Sequence, residues 1–158
     1  MKSLFKSKII MIFFLIIVSM ITSCSDSNSA ESVAKRTIQA MNEADYNSLW
    51  GLVSDKSKAE IEQQLHENKK TLIGKKMISQ VANIDIKDIN NFGSKEYFSK
   101  ILSYAKEITP NGLWESKFVS VDVKGNVATI KYRKSNGVIG YTPMQKESGK
   151  WKVDVDVV

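Results

Sequence analysis

Along the first two thirds of the chain apolar residues recur at three- and four-residue steps, and along the last third they alternate with polar ones. Ala30, Val33, Ala34, Ile38, Met41 and Ala44 mark the buried face of a helix. Ser29 stands where an N-cap belongs, and Glu31 falls in the first turn, where the helix dipole favours an acid. Asp45 caps a second, short helix carrying Leu49, Trp50, Leu52 and Val53, which Gly51 weakens. Ser57-Lys58-Ala59-Glu60 has the form of a capping box and opens a third helix to about Lys70, with Ile61 and Leu65 facing in. Residues 71–93 carry no single period. There Val81, Ile84 and Ile86 suit a short strand, and Asn90-Asn91-Phe92-Gly93 reads as a loop. Ser94 caps a last helix to about Ile108, with Phe98, Ile101, Leu102 and Ala105 on one side.

After Pro110-Asn111-Gly112 the period becomes two. Val119, Val121 and Val123 alternate, Lys124-Gly125-Asn126 turns the chain, and Ala128, Ile130 and Tyr132 alternate again. Ser135-Asn136-Gly137 is a second turn signal. Residues 138–146 make a third strand, in which Pro143 points to an edge or a bulge. Glu147-Ser148-Gly149 turns once more, and Trp151, Val153, Val155 and Val157 complete the alternation. Helices first and an antiparallel meander after them predict an α+β domain, with helices packed on one face of a curved sheet.

The N-terminus follows a different logic. Met1 to Lys8 hold three lysines and no acid, and Ile9 to Ile21 are apolar except for Ser19. These 13 residues are too few for a spanning helix, which needs roughly 20. The polar run Thr22 to Ser29 follows at once. Ile21-Thr22-Ser23-Cys24 resembles the lipobox of bacterial lipoproteins: a branched apolar residue three before the cysteine, then small residues that fit an extended peptide in a peptidase cleft. The resemblance implies cleavage between Ser23 and Cys24 and lipidation of the Cys24 thiol. It divides the chain into a signal peptide (1–23), a lipidated cysteine with a polar tether (24–29) and a domain (30–158). The alternative is an ordinary secretory signal with a chance cysteine, although the chain's only cysteine stands at the required position. Ser25, not aspartate, follows Cys24, so the family's sorting rule implies the outer membrane, facing the periplasm, if the host has two membranes.

Composition narrows the functions. With 42% hydrophobic and 25% charged residues the chain is ordinary for a globular domain, not a disordered one. The net charge of +6 includes Lys2, Lys6 and Lys8 of the leader; without them 20 basic side chains face 17 acidic ones, about +3. Lys69-Lys70 and Lys75-Lys76 form the densest basic cluster, but no stripe of the kind nucleic acid requires. One cysteine and one histidine allow neither an intramolecular disulfide nor a multi-cysteine zinc site nor a His-paired nucleophile. No cofactor, metal ligand or catalytic residue is assigned.

Three segments carry a second resemblance. They are Asn42-Glu43-Ala44-Asp45-Tyr46 with Leu49-Trp50-Gly51-Leu52-Val53-Ser54, then residues Val123 to Tyr132, then residues Glu147 to Asp154. Over roughly residues 30–157 the chain resembles the NTF2-like superfamily, and within it small lipoproteins with a DUF4878-type domain. That resemblance implies a cone: a curved sheet around a long helix with a cavity between. Relatives use such a cavity for isomerases, dehydratases or plain binding, so the fold does not choose the function.

An isomerase of this kind needs a cavity carboxylate and a hydrogen-bond donor. Asp154 and Asp156 have the parity opposite to Trp151, Val153, Val155 and Val157, which places them away from the core beside Lys131 and Arg133, as ion-pair partners. His66, next to Leu65, reads as a general base or as a boundary residue of an amphipathic helix, and the second reading is simpler. Trp50, Trp114 and Trp151 suit a ligand cavity or a small core, with Trp151 in the core. Trp114 and Phe118 share a parity opposite to Val119, Val121 and Val123, which places them on the outer sheet face as a contact for a protein partner or a second copy. The expectation is a membrane-anchored lipoprotein whose domain binds a small ligand or a protein. The alternatives are a cavity enzyme, isomerase- or dehydratase-like, acting on a small apolar molecule, and a structural envelope component without a ligand.

Overall fold

A computed structural model describes residues 27–110 and 114–155. Ser23, Cys24, the leader, Asp156 and Val157 lie outside the described residues. The helices are α1 (Ala30–Glu43), α2 (Tyr46–Leu52), α3 (Asp55–Lys70), α4 (Leu72–Ala82) and, after a 3-10 turn at Ile86–Asn91, α5 (Ser94–Ile108). The strands are β1 (Ser116–Lys124), β2 (Val127–Lys134), β3 (Ile139–Glu147) and β4 (Lys150–Val153), paired antiparallel in the order β1-β2-β3-β4. The α+β class, helices before an antiparallel sheet, is as expected.

The local chemistry explains most boundaries. Ser29 and Asp45 cap α1 and α2, accepting from the backbone N–H of Ser32 and Ser48. Bonds from Ser48 also hold the exposed Asp45 carboxyl below its usual range. The cap of α3 is Ser54, not Ser57: the helix starts three residues earlier than the capping box suggests, because the Ser54 hydroxyl accepts from Ser57 N–H. Ser57 is buried in the first turn, and its hydroxyl accepts from Val155 N–H at 3.0 Å. The last helix begins at Ser94 itself, after Gly93, without a side-chain cap.

The proposed strand at Val81, Ile84 and Ile86 does not exist. Thr71 caps α4 by accepting from Gly74 N–H, and Asn83 ends it in the left-handed region at φ 54°. The helical period was hidden because only Gly74, Ile78 and Ala82 are buried, while Leu72, Ile73 and Met77 face outward. Pro143 sits in β3 where β4 runs out. Its carbonyl accepts from Asp154 N–H, just past the last β4 residue, so the missing N–H of the proline has little strand to pair with.

Apolar packing falls into two clusters. One joins Val33, Ala34 and Ile38 of α1 to Ala128, Ile130, Met144, Trp151 and Val153 of the sheet. The other is helical and gathers Leu49, Val53, Ile61, Leu65, Ile78 and Phe98. Val53 bridges Val153 in parallel, Ser54 N–H donates to Val153 carbonyl at 2.9 Å, and Val155 packs against both clusters. Both clusters and every described element draw on residues 27–155 alone, so a chain beginning at Ser25 holds the whole described fold.

Two glycines in helices predict opposite effects. A Cβ on Gly74 would overlap the backbone carbonyl of Asn68, where α3 and α4 cross, whereas a Cβ on the exposed Gly51 meets nothing within 4 Å. Gly74→Ala should lower stability by about 1–3 kcal/mol, and Gly51→Ala should raise it by about 0.5–1 kcal/mol. Urea denaturation of the two variants checks both signs.

Candidate functional site

Where the sheet and the helical half diverge, they leave a cavity of about 280 Å³. Thr37, Ile38 and Met41 of α1 form one wall; Ile130, Tyr132, Lys134 and Thr142 of β2 and β3 form the facing one; Leu49, Thr109, Trp114, Ser116, Val153 and Val155 complete it. A larger recess, about 460 Å³, lies against the polar outer side of α1 around Arg36, Gln39 and Glu43. It is a surface groove, and the enclosed, mostly apolar space is the better ligand site.

Strand parity sets the cavity walls. In β2, Ala128, Ile130 and Tyr132 point inward, opposite Met144, Thr142 and Gly140 of β3. A Cβ on Gly140 would overlap the Tyr132 ring, so glycine there is what lets the ring lie flat against β3. At the other end the Asn42 amide grips β1 with two bonds, Nδ2 to Ser116 carbonyl at 2.8 Å and Ser116 N–H to Oδ1 at 2.9 Å. Beside it the Trp114 indole N–H donates to Met41 carbonyl at 3.0 Å. The Met41 carbonyl also accepts from Ala44 N–H at 3.3 Å, so the end of α1 is tied both to its own cap and to Trp114, which fixes Trp114 at the cavity.

The three aromatic candidates part company. Trp114 lines the cavity and Trp50 does not. Trp50 stacks on Phe98 with ring centroids 5.2 Å apart, on the helical side, with the Lys58 ammonium over its ring. The placement of Trp114 and Phe118 on the outer face is overturned. The register of β1 shifts between Phe118 and Ser120, so Val119 is an extra residue that reverses parity. Phe118 consequently pairs with Tyr132, packs against the sheet cluster and lies 5.4 Å beneath the Lys35 ammonium of α1. The outer face instead exposes Val119, Val127 and Tyr141.

Asp154 accepts from the Gln145 amide at 3.2 Å, outside the cavity. Its expected ion pairs with Lys131 and Arg133 are absent among the described residues. By contrast, Lys152 donates to Gly51 carbonyl at 2.6 Å at the end of α2, and burial first, then nearby Lys58, pull its pKa below the usual lysine range. His66 is exposed on α3.

Among the described residues no carboxylate lines the cavity, and no cluster of His, Cys, Asp and Glu could hold a metal ion. Nor is any described helix long and apolar enough to cross a membrane. Sequence reasoning missed Thr37, Ile38, Met41 and Thr142 as wall residues. The alternation of β2 did carry a signal for Ile130 and Tyr132. No family model, curated protein or solved structure matches the chain.

One buried polar atom in the helical cluster stands apart. The Tyr46 hydroxyl has no hydrogen-bond partner among the described residues, and burial, with a smaller push from Glu107, raises its pKa above 10.0. Removing an unsatisfied buried hydroxyl should cost nothing, so Tyr46→Phe should leave stability unchanged or raise it by up to about 1 kcal/mol at neutral pH. The folded chain keeps the phenol proton to higher pH than the unfolded chain does. Wild-type stability should therefore fall as pH rises past the normal tyrosine range, and Tyr46→Phe should flatten that fall, as read from urea midpoints across alkaline pH.

Proposed function

We propose that this protein is a lipoprotein of the cell envelope, anchored through Cys24, whose NTF2-like domain binds a small, largely apolar ligand without chemistry. The observation that carries the binding reading is the cavity of about 280 Å³ between α1 and the sheet, with mostly apolar walls, one lysine (Lys134) and no described carboxylate. Its size is at the low end of the range for small-molecule sites, roughly 300–1,000 Å³. Proton abstraction in such a cavity would need a base, and Asp154 lies outside it. The anchor reading is supported by the basic, then apolar, leader and by Ile21-Thr22-Ser23-Cys24. It implies an extracytoplasmic location, on the outer membrane facing the periplasm in a host with two membranes. A doubly or triply acylated cysteine would make the attachment stable.

A second reading, contact with a protein partner or a second copy through the sheet, is favoured by Val119, Val127 and Tyr141, which are 42%, 57% and 62% exposed. It would use these residues in place of Trp114 and Phe118.

Three measurements separate these readings. Radiolabelled palmitate should enter the polypeptide and be lost in Cys24→Ser; an unlabelled chain that retains its leader removes the anchor. Native mass spectrometry of the chain beginning at Ser25 should show a small co-purified adduct, and Thr142→Trp, which fills the cavity, should eject it. A bare wild-type domain that takes up no apolar compound overturns ligand binding. For the sheet face, light scattering should find a dimer that Tyr141→Glu dissociates; a monomer at all concentrations refutes self-association.

A further inference from the structure

The outward side of α4 is unusual for a surface helix. At 100° per residue Gly74, Ile78 and Ala82 form its buried line. On the water-facing side Leu72, Ile73 and Met77 are exposed at 66%, 74% and 55%, Ile73 beside Lys76 and Gln80 opposite the buried line and Leu72 and Met77 on its two flanks. Water-facing helices put polar residues there, and a cluster of large apolar ones marks a contact.

The charges on the helix itself have one sign, while Glu67 precedes it and Asp85 and Asp88 belong to the 3-10 turn packed against its end. α4 contains Lys75 and Lys76 and no acid, and neither lysine has an ion-pair partner among the described residues. Lys69, just before it, donates to the carbonyls of Asn90 and Phe92, which leaves its charge unneutralised. Of the four lysines only Lys70 meets an acid, Glu67, at 2.8 Å. Three apolar side chains within two turns are far from the roughly 800 Å² that each partner buries in a standard protein interface. A bilayer surface asks for less: a shallow apolar insertion ringed by lysines that meet anionic headgroups.

We propose that α4 is a second membrane contact, in which Leu72, Ile73 and Met77 enter the headgroup boundary of an anionic bilayer and Lys69, Lys70, Lys75 and Lys76 face its phosphates. The biological setting rests on the anchor reading, which brings the domain to a membrane. Ser27 carbonyl is tied to α1 by Ser32 and Arg36, and the three-residue step from Cys24 to Ser27 reaches only about 10 Å. The start of α3 lies on the same side, since Asp55 N–H donates to the Glu147 carboxylate and Asn28 donates to Gly149 carbonyl in the β3–β4 hairpin. From there α3 runs about 24 Å to Lys70, next to Leu72. The anchor end and α4 are therefore separated by about the length of α3.

Sedimentation of the chain beginning at Ser25 with lipid vesicles tests the contact without the anchor. Vesicles with about one third phosphatidylglycerol should bind it at least about tenfold more strongly than phosphatidylcholine alone. Leu72→Ser/Ile73→Ser/Met77→Ser and, separately, Lys75→Glu/Lys76→Glu should abolish that difference with far-UV circular dichroism unchanged, since these side chains pack against little. No binding, equal binding to both vesicles, or an undiminished triple variant overturns the proposal. So does a vesicle-inert dimer that the triple variant dissociates, which assigns the patch to a second copy. Palmitate labelling of Cys24 reports on the anchor alone, so either idea can fail without the other.

Discussion

The edge of β4 is the constraint on which this fold turns. A strand of four residues at the end of a sheet leaves a row of backbone donors and acceptors open, and here they are closed by the α2–α3 joint. Val53 lies parallel to Val153, Ser54 N–H reaches Val153 carbonyl, and the Ser57 hydroxyl takes Val155 N–H. Ser54 and Ser57 are both fully buried, so these bonds are made where water cannot substitute for a lost partner. A typical bond of this kind contributes about 1 kcal/mol, but a buried donor left open costs about 1–3 kcal/mol. The same two serines also begin α3, one as its cap and one as the first donor to that cap. Helix initiation and sheet termination are therefore a single event.

The joint also explains why there is a cavity. α1 starts on the sheet with Ala30, Val33 and Ala34, and by Ala40 it has passed into the helical cluster. The sheet does not follow it. Fixed at β4 by the serines and at β1 by Asn42 and Trp114, the two halves are held together at both ends of a gap that neither fills. A cavity made this way is a property of the frame. Its wall residues can change in size or polarity without breaking the bonds that hold it open, which suits a binding site better than a packed core would.

The sequence exposed some of this and hid the rest for identifiable reasons. Caps at Ser29 and Asp45 were legible because a short polar side chain precedes a clear apolar period. Ser57 misled because Glu60 completes a capping box, while Ser54, the true cap, has no such partner three residues on. α4 was hard to read because its outward side carries Leu72, Ile73 and Met77 among its polar residues, while two of its three buried positions are the small Gly74 and Ala82. The bulge at Val119 left one trace, the adjacent apolar pair Phe118-Val119 in a strand that otherwise alternates. Missing it reversed the facing of Phe118, and with Trp114 also bonded to α1 it displaced the predicted contact surface. Ile21-Thr22-Ser23-Cys24 lies outside the described residues, and nothing in the fold bears on its reading.

Parity also limits what the cavity can become. Trp151 and Val153 face inward from β4, and Asp154, the next residue, hydrogen-bonds Gln145 on the other side. Turning Asp154 into the cavity would require a one-residue slip of β4, and such a slip carries every side chain of the strand to the opposite face. It would expose Trp151 and Val153 and break the Ser54 bond to Val153 carbonyl. Asp154 is thus barred from the cavity by the same register that closes the sheet edge. The wall positions on α1 and β2 are occupied by Thr37, Ile38, Met41, Ile130, Tyr132 and Lys134, none of them a carboxylate. The arrangement that closes the sheet edge is the one that keeps Asp154 out of the cavity.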